Sequence, residues 1–348
     1  MGWLVAVGEV GALAAAGRRR VARRVPGVRA PPAAGRRGAV AASLGAPPPR
    51  TRPFGGDAWD EARAGARRME RERPNAARPE DGPGRLGPDS PRPADLDPRL
   101  MPGHVAVIMD GNGRWARGRG RGVGEGHEQG AESLRTLVKC CNNWGVDTAT
   151  VYAFSMENWE RPDFEVNFLL GLMERLLGAE SAELHAQRVC VQFVGDLGRL
   201  PSQLRAEMDR VCDLTRGNPG LRLNLAVSYG GRQDIVQACA RIATEVELGT
   251  LRASDVDEAL VSDFLLLSKT DGREGEEHVK SRQRREPDLL IRTSGELRLS
   301  NFLLWEMAYT ELHFTDVMWP DFGAQELYEA LLSYQRRQRR YGARPPGA

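Results

Sequence analysis

From residue 101 onward, short uninterrupted apolar runs alternate with longer stretches whose apolar residues recur every three or four positions. These are the marks of buried strands and of amphipathic helices. His104 to Met109 is the first run, followed by Thr148 to Phe154, Val189 to Val194, Leu221 to Val227 and Asp288 to Ile291. The helical spacing predicts helices over Gly126 to Trp144, Phe164 to His185, Pro201 to Thr215, Gln233 to Leu248 and Ala324 to Tyr334. Gly145 stands where a helix stop is expected, and Pro201 at the first turn of the helix it opens. Strands separated by helices run parallel, because each helical crossover returns the chain over a sheet face. The expected fold is therefore α/β, a central, mostly parallel sheet with helices on both faces in a single catalytic domain. The helix from Phe164 departs from a simple amphipathic stripe: Val166, Leu169, Leu170, Met173, Leu176 and Leu177 spread round its surface. Something apolar must lie against it.

Composition divides the chain of 348 residues into unlike parts. Residues 1–55 are rich in Arg, Ala, Gly and Pro with Glu9 as the single acid, which predicts an organellar transit peptide, plastid first and mitochondrion second. Residues 56–100 mix charges with Pro and Gly and offer few apolar side chains, so a disordered linker is expected, with the catalytic domain over 101–342 and a disordered tail over 343–348. A charged stretch at 268–286 reads as a mobile insert. The five cysteines show no metal-ligand spacing and read as reduced thiols. Neither a P-loop nor paired DDxxD-like carboxylates are present, which excludes P-loop phosphotransferases and argues against E-type prenyltransferases.

Unusual polar clusters follow each strand: Asp110 to Trp115, SMENWERP, Gly195 and Asp196, SYGGR, and RTSGELRLSN. In a parallel sheet those ends share one edge, where ligands bind in open α/β folds. Arg114, Arg161, Arg232, Arg292 and Arg298 converging there with Asp110, His127 and Asn158 point to phosphate and a divalent metal, since guanidinium forks match phosphate oxygens.

The blocks HVAVIMDGNGRWA, GHEQG, YAFSMENWERP and RTSGELRLSNFLLWEMAYTELHFTDVMWPDF, collinear from about Met101 to Tyr341, resemble the signature regions of the cis-prenyltransferases, the undecaprenyl and dehydrodolichyl diphosphate synthase family. The resemblance implies a Mg²⁺-dependent homodimer that condenses isopentenyl diphosphate with an allylic prenyl diphosphate into a Z-polyprenyl diphosphate. No nucleic acid is implied, and the product would partition to membrane. By the same resemblance Asp110 organises the metal, and Gly111, Asn112, Gly113, Arg114 and Trp115 line the allylic site with His127 on its phosphates. Ser155 and Asn158 assist proton removal, with Glu157, Trp159 and Arg161 beside them. Arg292, Arg298, Leu299 and Ser300 hold isopentenyl diphosphate, Glu311 is a second metal ligand, and Arg340 and Gly342 reach across the dimer to the neighbour's diphosphate. The apolar helix and its partner over Glu132 to Cys141 would wall a tunnel for the growing chain, with Ala153 and Val191 as candidates for its floor.

One departure stands out. Many members carry an arginine where this chain has Val123, so phosphate binding there is expected to fall to Arg119 or Arg121. The glycines of RGRGRGVGEG read as a flap over the diphosphate. The alternative on the same fold is a non-catalytic partner subunit of a two-component cis-prenyltransferase; such partners lose the aspartate and the polar residues after the second strand, which this chain keeps.

Overall fold

A computed structural model describes residues 86–338, apart from 271–285. Arg340, Gly342, the segments 1–85 and 339–348, and most of the charged insert lie outside the described residues. Six strands form one parallel sheet: β1 (His104–Ile108), β2 (Thr148–Ser155), β3 (Cys190–Val194), β4 (Arg222–Tyr229), β5 (Leu289–Arg292) and β6 (Glu311–Phe314). Their order is β3-β4-β2-β1-β5-β6. Connections from β1 run to one side of the sheet and those from β5 to the other, so the chain reverses between these two neighbours. That crevice is where open α/β sheets take ligands. Ile108 pairs in register with Tyr152 on β2 and with Arg292 on β5, so β1 and β5 end at one height while β2 runs on to Ser155 at the same edge of the sheet.

Seven α-helices lie among the described residues: α1 (Asn112–Gly118), α2 (Val123–Trp144), α3 (Asp163–Ala186), α4 (Ser202–Thr215), α5 (Gly231–Leu248), α6 (Glu258–Phe264) and α7 (Ala324–Gln335). Alternation along the strands sorts the core into two faces. Val105, Val107, Val151, Leu223 and Ile291 pack against α2, α3, α4 and α7, while Ala106, Ile108, Ala226 and Leu290 pack against Leu267, Phe302, Leu303 and Met307. On that second side α5 is tied down by Asp234, whose carboxylate accepts the Leu266 N–H at 3.0 Å. None of the described helices is long and apolar enough to cross a membrane.

Three features differ from the sequence expectation. The stretch after Asp110 is not simply a loop: Gly111, at φ 113°, turns the chain into α1. β6 departs from the expectation because its four residues at a sheet edge, three half-buried and Leu312 exposed, carry too little apolar signal to stand out. Residues 86–100 also pack on the domain rather than forming part of a coreless linker. Leu96 is 1% exposed, the Trp144 indole N–H donates to the Ser90 carbonyl at 3.0 Å, and the Gln335 amide exchanges hydrogen bonds with the backbone of Asp97. One well-placed leucine anchors a segment whose composition is otherwise that of a linker.

Candidate active site

The end of β1 delivers Asp110 to the crevice, and the end of β5 clamps it. The Thr293 hydroxyl accepts the Asp110 N–H at 2.9 Å and donates to the Asp110 carbonyl at 2.6 Å. Gly111 permits the turn that follows, since a Cβ there would stand 3.0 Å from that of Ser294 and 3.1 Å from that of Met318. The Asp110 carboxylate accepts from Arg292 Nη2 at 2.9 Å and from Arg114 Nη2 at 3.1 Å. Burial pushes this carboxyl up, but the Arg292 hydrogen bond and the charges of Arg114 and Arg292 outweigh it and hold it below the usual carboxylate range. Asp110 is therefore an anion at neutral pH.

Arg292 is 2% exposed and also donates to Ser300 Oγ at 2.7 Å and to the Arg298 carbonyl. A buried guanidinium needs such partners, because an unpaired buried charge costs several kcal/mol. Arg114 is shared between Asp110 and Glu296, with Arg114 Nη1 at 3.0 Å from Glu296 Oε1, and its Nη2 donates to Ser294 Oγ at 2.6 Å. Arg161 pairs with Glu165 at 2.9 Å.

After β2, a 3₁₀ turn (Met156–Glu160) presents Glu157 and Asn158. Asn158 Oδ1 accepts the Ser155 N–H at 3.1 Å, which fixes the amide so that its NH₂ is left to donate elsewhere. Half-buried His127 on α2 is depressed to about 4 by burial, with the Arg161 charge adding to it, so in the unliganded site it is a neutral imidazole at neutral pH.

These groups open onto a cavity of about 1030 Å³. Its polar mouth includes Asp110, Gly111, Asn112, Gly113, Arg114, His127, Ser155, Glu157, Asn158, Arg161, Arg292 and Ser300, so the structure brings together twelve of the residues expected from the sequence. Its apolar body runs between α2, α3 and the sheet, walled by Leu134, Val138, Leu169, Leu172, Met173 and Leu176. On α3 the apolar residues divide: Val166 and Leu170 belong to the core, Leu176 faces the cavity, and Leu169, Met173 and Leu177 serve both. Ala153 lines the cavity, whereas Val191 is buried in the core and does not.

Other expected residues stand elsewhere. Trp115 is buried, its indole N–H held by Asp321 at 2.8 Å. Trp159 packs edge-on against Phe154, and Leu299 packs on the second sheet face. Arg298 is 61% exposed and bonded to Glu296, and Glu311 on β6 pairs with Arg337 at 2.8 Å. The expectation that Arg119 or Arg121 takes over at Val123 also fails: Arg119 is ion-paired to Asp321 at 2.9 Å, and both arginines lie over the Trp115 ring, away from the cavity. Arg117 is the arginine of α1 that lines the cavity beside Val123. Its spacing of three from Arg114 would have flagged it, had Asn112 to Gly118 been read as a helix rather than as glycine-rich loop.

A deep apolar cavity capped by guanidinium groups, amide donors and one firm carboxylate fits an amphiphile with an anionic head and a long hydrocarbon tail. Fold and site thus define a binding site for such an amphiphile at the carboxyl edge of a parallel sheet. Known proteins agree: the family described as "Putative undecaprenyl diphosphate synthase" matches residues 108–342. The chain is 45% identical over 257 residues to an isoprenyl transferase of Prochlorococcus marinus, covering 74% of this chain and 91% of that protein. It is 46% identical over 252 residues to "Dehydrodolichyl diphosphate synthase CPT5, chloroplastic" of Solanum lycopersicum, covering 72% of this chain and 77% of that one. Among solved structures, lavandulyl diphosphate synthase from Lavandula x intermedia, in complex with dimethylallyl diphosphate, superposes with a TM-score of 0.65 at 38% identity, covering 70% of this chain and 99% of that one. The chain belongs to the cis-prenyltransferase family.

Proposed function

We propose that this enzyme condenses isopentenyl diphosphate with an allylic prenyl diphosphate, Mg²⁺-dependently, to a Z-polyprenyl diphosphate, with the residues of the cavity mouth in the following roles. Arg114, His127 and the Gly111 to Gly113 turn hold the allylic diphosphate, and Arg292 and Ser300 hold isopentenyl diphosphate. The allylic C1–O bond breaks with its electron pair going to the diphosphate. The C3=C4 π pair of isopentenyl diphosphate forms the new bond from C4 to C1, and the C2 proton leaves to a diphosphate oxygen while its bond pair closes the new C2=C3 double bond. The Asn158 amide, with its oxygen occupied by Ser155, donates to a diphosphate oxygen rather than acting as a base. Guanidinium groups aimed at oxygens that gain charge stabilise the transition state. The leucine wall keeps water from the allylic cation, and the tail slides between α2 and α3 as it lengthens.

The residues present fit Mg²⁺: Asp110 is one accessible, anionic carboxylate, and such ions are held by one or two carboxylates plus substrate phosphates. Among the described residues no cluster of three His, Cys, Asp or Glu side chains exists, so diphosphate oxygens would complete the shell. When bound, the metal would offset charge on the leaving diphosphate. Glu311 does not line the cavity of its own chain, so its part as a second metal ligand would need a homodimer in which a second copy brings it there, as the resemblance implies. The name of the tomato relative and the Arg-rich first 55 residues support a plastid location.

The observation that carries the reading is the Asp110, Arg114 and Arg292 constellation at the mouth of the leucine-lined cavity. Purified protein given labelled isopentenyl diphosphate with each of dimethylallyl, geranyl, farnesyl and geranylgeranyl diphosphate should yield polyprenyl diphosphates of Z configuration. Absence of incorporation with all four primers overturns it.

A further inference from the structure

Six cationic side chains line the cavity, and five of them have an acidic partner among the described residues. Arg114 and Arg292 are held by Asp110, Arg135 by Glu132 and Glu180, Arg161 by Glu165, and Lys139 by Asp89 at 3.6 Å. The Arg117 guanidinium makes no ion pair or hydrogen bond among the described residues. It follows Arg114 by three positions on α1, so the two share a helix face. Its place is fixed by its neighbours: a Cβ on Gly113 would lie 3.4 Å from Arg117 Nη1 and 3.8 Å from Val123 Cγ1. The guanidinium therefore reaches back over Gly113, with a Val123 methyl near the same point. Val123 also lines the cavity and brings no charge to it.

An anion entering this mouth has to compete with carboxylates for every lining cation except one. Arg114 must share itself with Asp110 and Glu296, and Arg292 is tied to Asp110 and Ser300. Arg117 has no such tie to break, and being exposed it owes no burial cost while unpaired. We propose that Arg117 is a binding residue for the diphosphate of the allylic substrate, taking the place that Val123 leaves without charge and forking onto the terminal phosphate beside the Gly113 turn. This inference rests on the prenyltransferase reading of the site. It separates the two substrates: Arg117 belongs to the α1 side with Arg114 and His127, whereas isopentenyl diphosphate is assigned to the β5 side with Arg292 and Ser300.

The test compares wild type, Arg117→Ala, Arg117→Lys, and the double variant Arg117→Ala with Val123→Arg. Arg117→Ala should raise KM for the allylic diphosphate about tenfold, or about 1.4 kcal/mol, leaving KM for isopentenyl diphosphate and the melting temperature unchanged. Arg117→Lys should recover part of the loss, since a point charge replaces a fork, and the added Val123→Arg should recover most of it. Calorimetric titration with a non-ionisable allylic thiodiphosphate should show the same order of affinities without any turnover. An unchanged allylic KM and thiodiphosphate affinity in Arg117→Ala overturns the inference, as does an equal rise in both KM values or failure of Val123→Arg to restore binding. If the wild type bound the thiodiphosphate but performed no condensation, the functional reading would fall while the titration still judged Arg117.

Discussion

Asp110 and Arg292 depend on each other. Arg292 is nearly inaccessible, and Asp110 is the carboxylate that neutralises it; Ser300 and the Arg298 carbonyl take its Nη1, while its Nε has no hydrogen-bond partner among the described residues. Cutting Asp110 back to alanine would leave that guanidinium uncompensated, and loss of one partner of a buried pair costs about 3–5 kcal/mol. The cost here is smaller, because the Asp110 side chain is 30% exposed and solvent screens it. Asp110→Asn is the cleaner probe, keeping the shape and an acceptor oxygen for Arg292 while removing the negative charge. Its kcat should fall at least about 100-fold, the scale on which one transition-state electrostatic contact is felt, with the circular-dichroism spectrum unchanged. An asparagine variant turning over within a few-fold of wild type would refute the proposed role of Asp110.

At the scale of elements, the cavity exists because α2 and α3 stand apart over the sheet and are joined at their edges. Arg135 on α2 bonds to Glu132 on its own helix and crosses to Glu180 on α3 at 2.8 Å. Both partners of the crossing are about a third exposed or less, so as a source of stability the pair is worth about 0–1 kcal/mol. As a brace on the tunnel wall it has more leverage, because it closes the gap near the end lined by Glu183, Leu184 and Gln187. Arg135→Ala should leave the melting temperature within about 2 °C of wild type and broaden the product distribution toward longer chains, as read by mass spectrometry. An unchanged distribution would mean that the leucine wall alone sets chain length. The strap of residues 86–100 makes a second prediction. Chains beginning at residue 86 and at residue 101 differ by the burial of Leu96, worth about 1.5–3 kcal/mol, and by the contacts to Trp144 and Gln335. The shorter chain should melt about 5–10 °C lower at about 2–4 °C per kcal/mol. Equal melting temperatures would show the strap to be dispensable.

At the scale of the whole molecule, Glu306 makes stability depend on pH across neutrality. Glu306 is buried on the second sheet face, its Oε1 without a hydrogen-bond partner among the described residues, beside a small cavity lined by Ser262, Ser268, Glu286 and Trp305. Burial, with Asp234 and Glu286 adding repulsion, pushes its carboxyl up from 4.5 to about 8. Between those values the folded chain keeps a proton that the unfolded chain has released, so Glu306 subtracts more stability as pH rises from about 4.5 to about 8. Glu306→Gln cannot ionise. Its advantage over wild type in melting temperature should be small at pH 5 and grow by several degrees toward pH 8.5, while a gap independent of pH would rule out this account.

The sequence by itself determined the alternation of strands and helices, hence the parallel sheet and the edge on which its polar clusters meet. Those features are local: a run of buried residues or a period of 3.6 is written along the chain, and parallel topology follows from it. The signature blocks also carried Asp110, Arg114, Asn158 and Arg292 to one place, because each lies at or shortly after the carboxyl end of a strand. What only the tertiary structure decided depends on contacts between distant residues. α1 forms where glycines argued for loop, because Asn112 lies against Gly126 and Gly130, whose lack of side chains lets it approach. β6 forms because β5 offers it an edge, and Leu96 orders the strap because Trp144 and α7 receive it. Which leucine of α3 faces a tunnel and which faces the core is set by the tilt of that helix on the sheet, and no periodicity records it. The same holds for the arginines: nine residues of spacing cannot say that Arg119 is spent on Asp321 while Arg117 stands free at the cavity mouth.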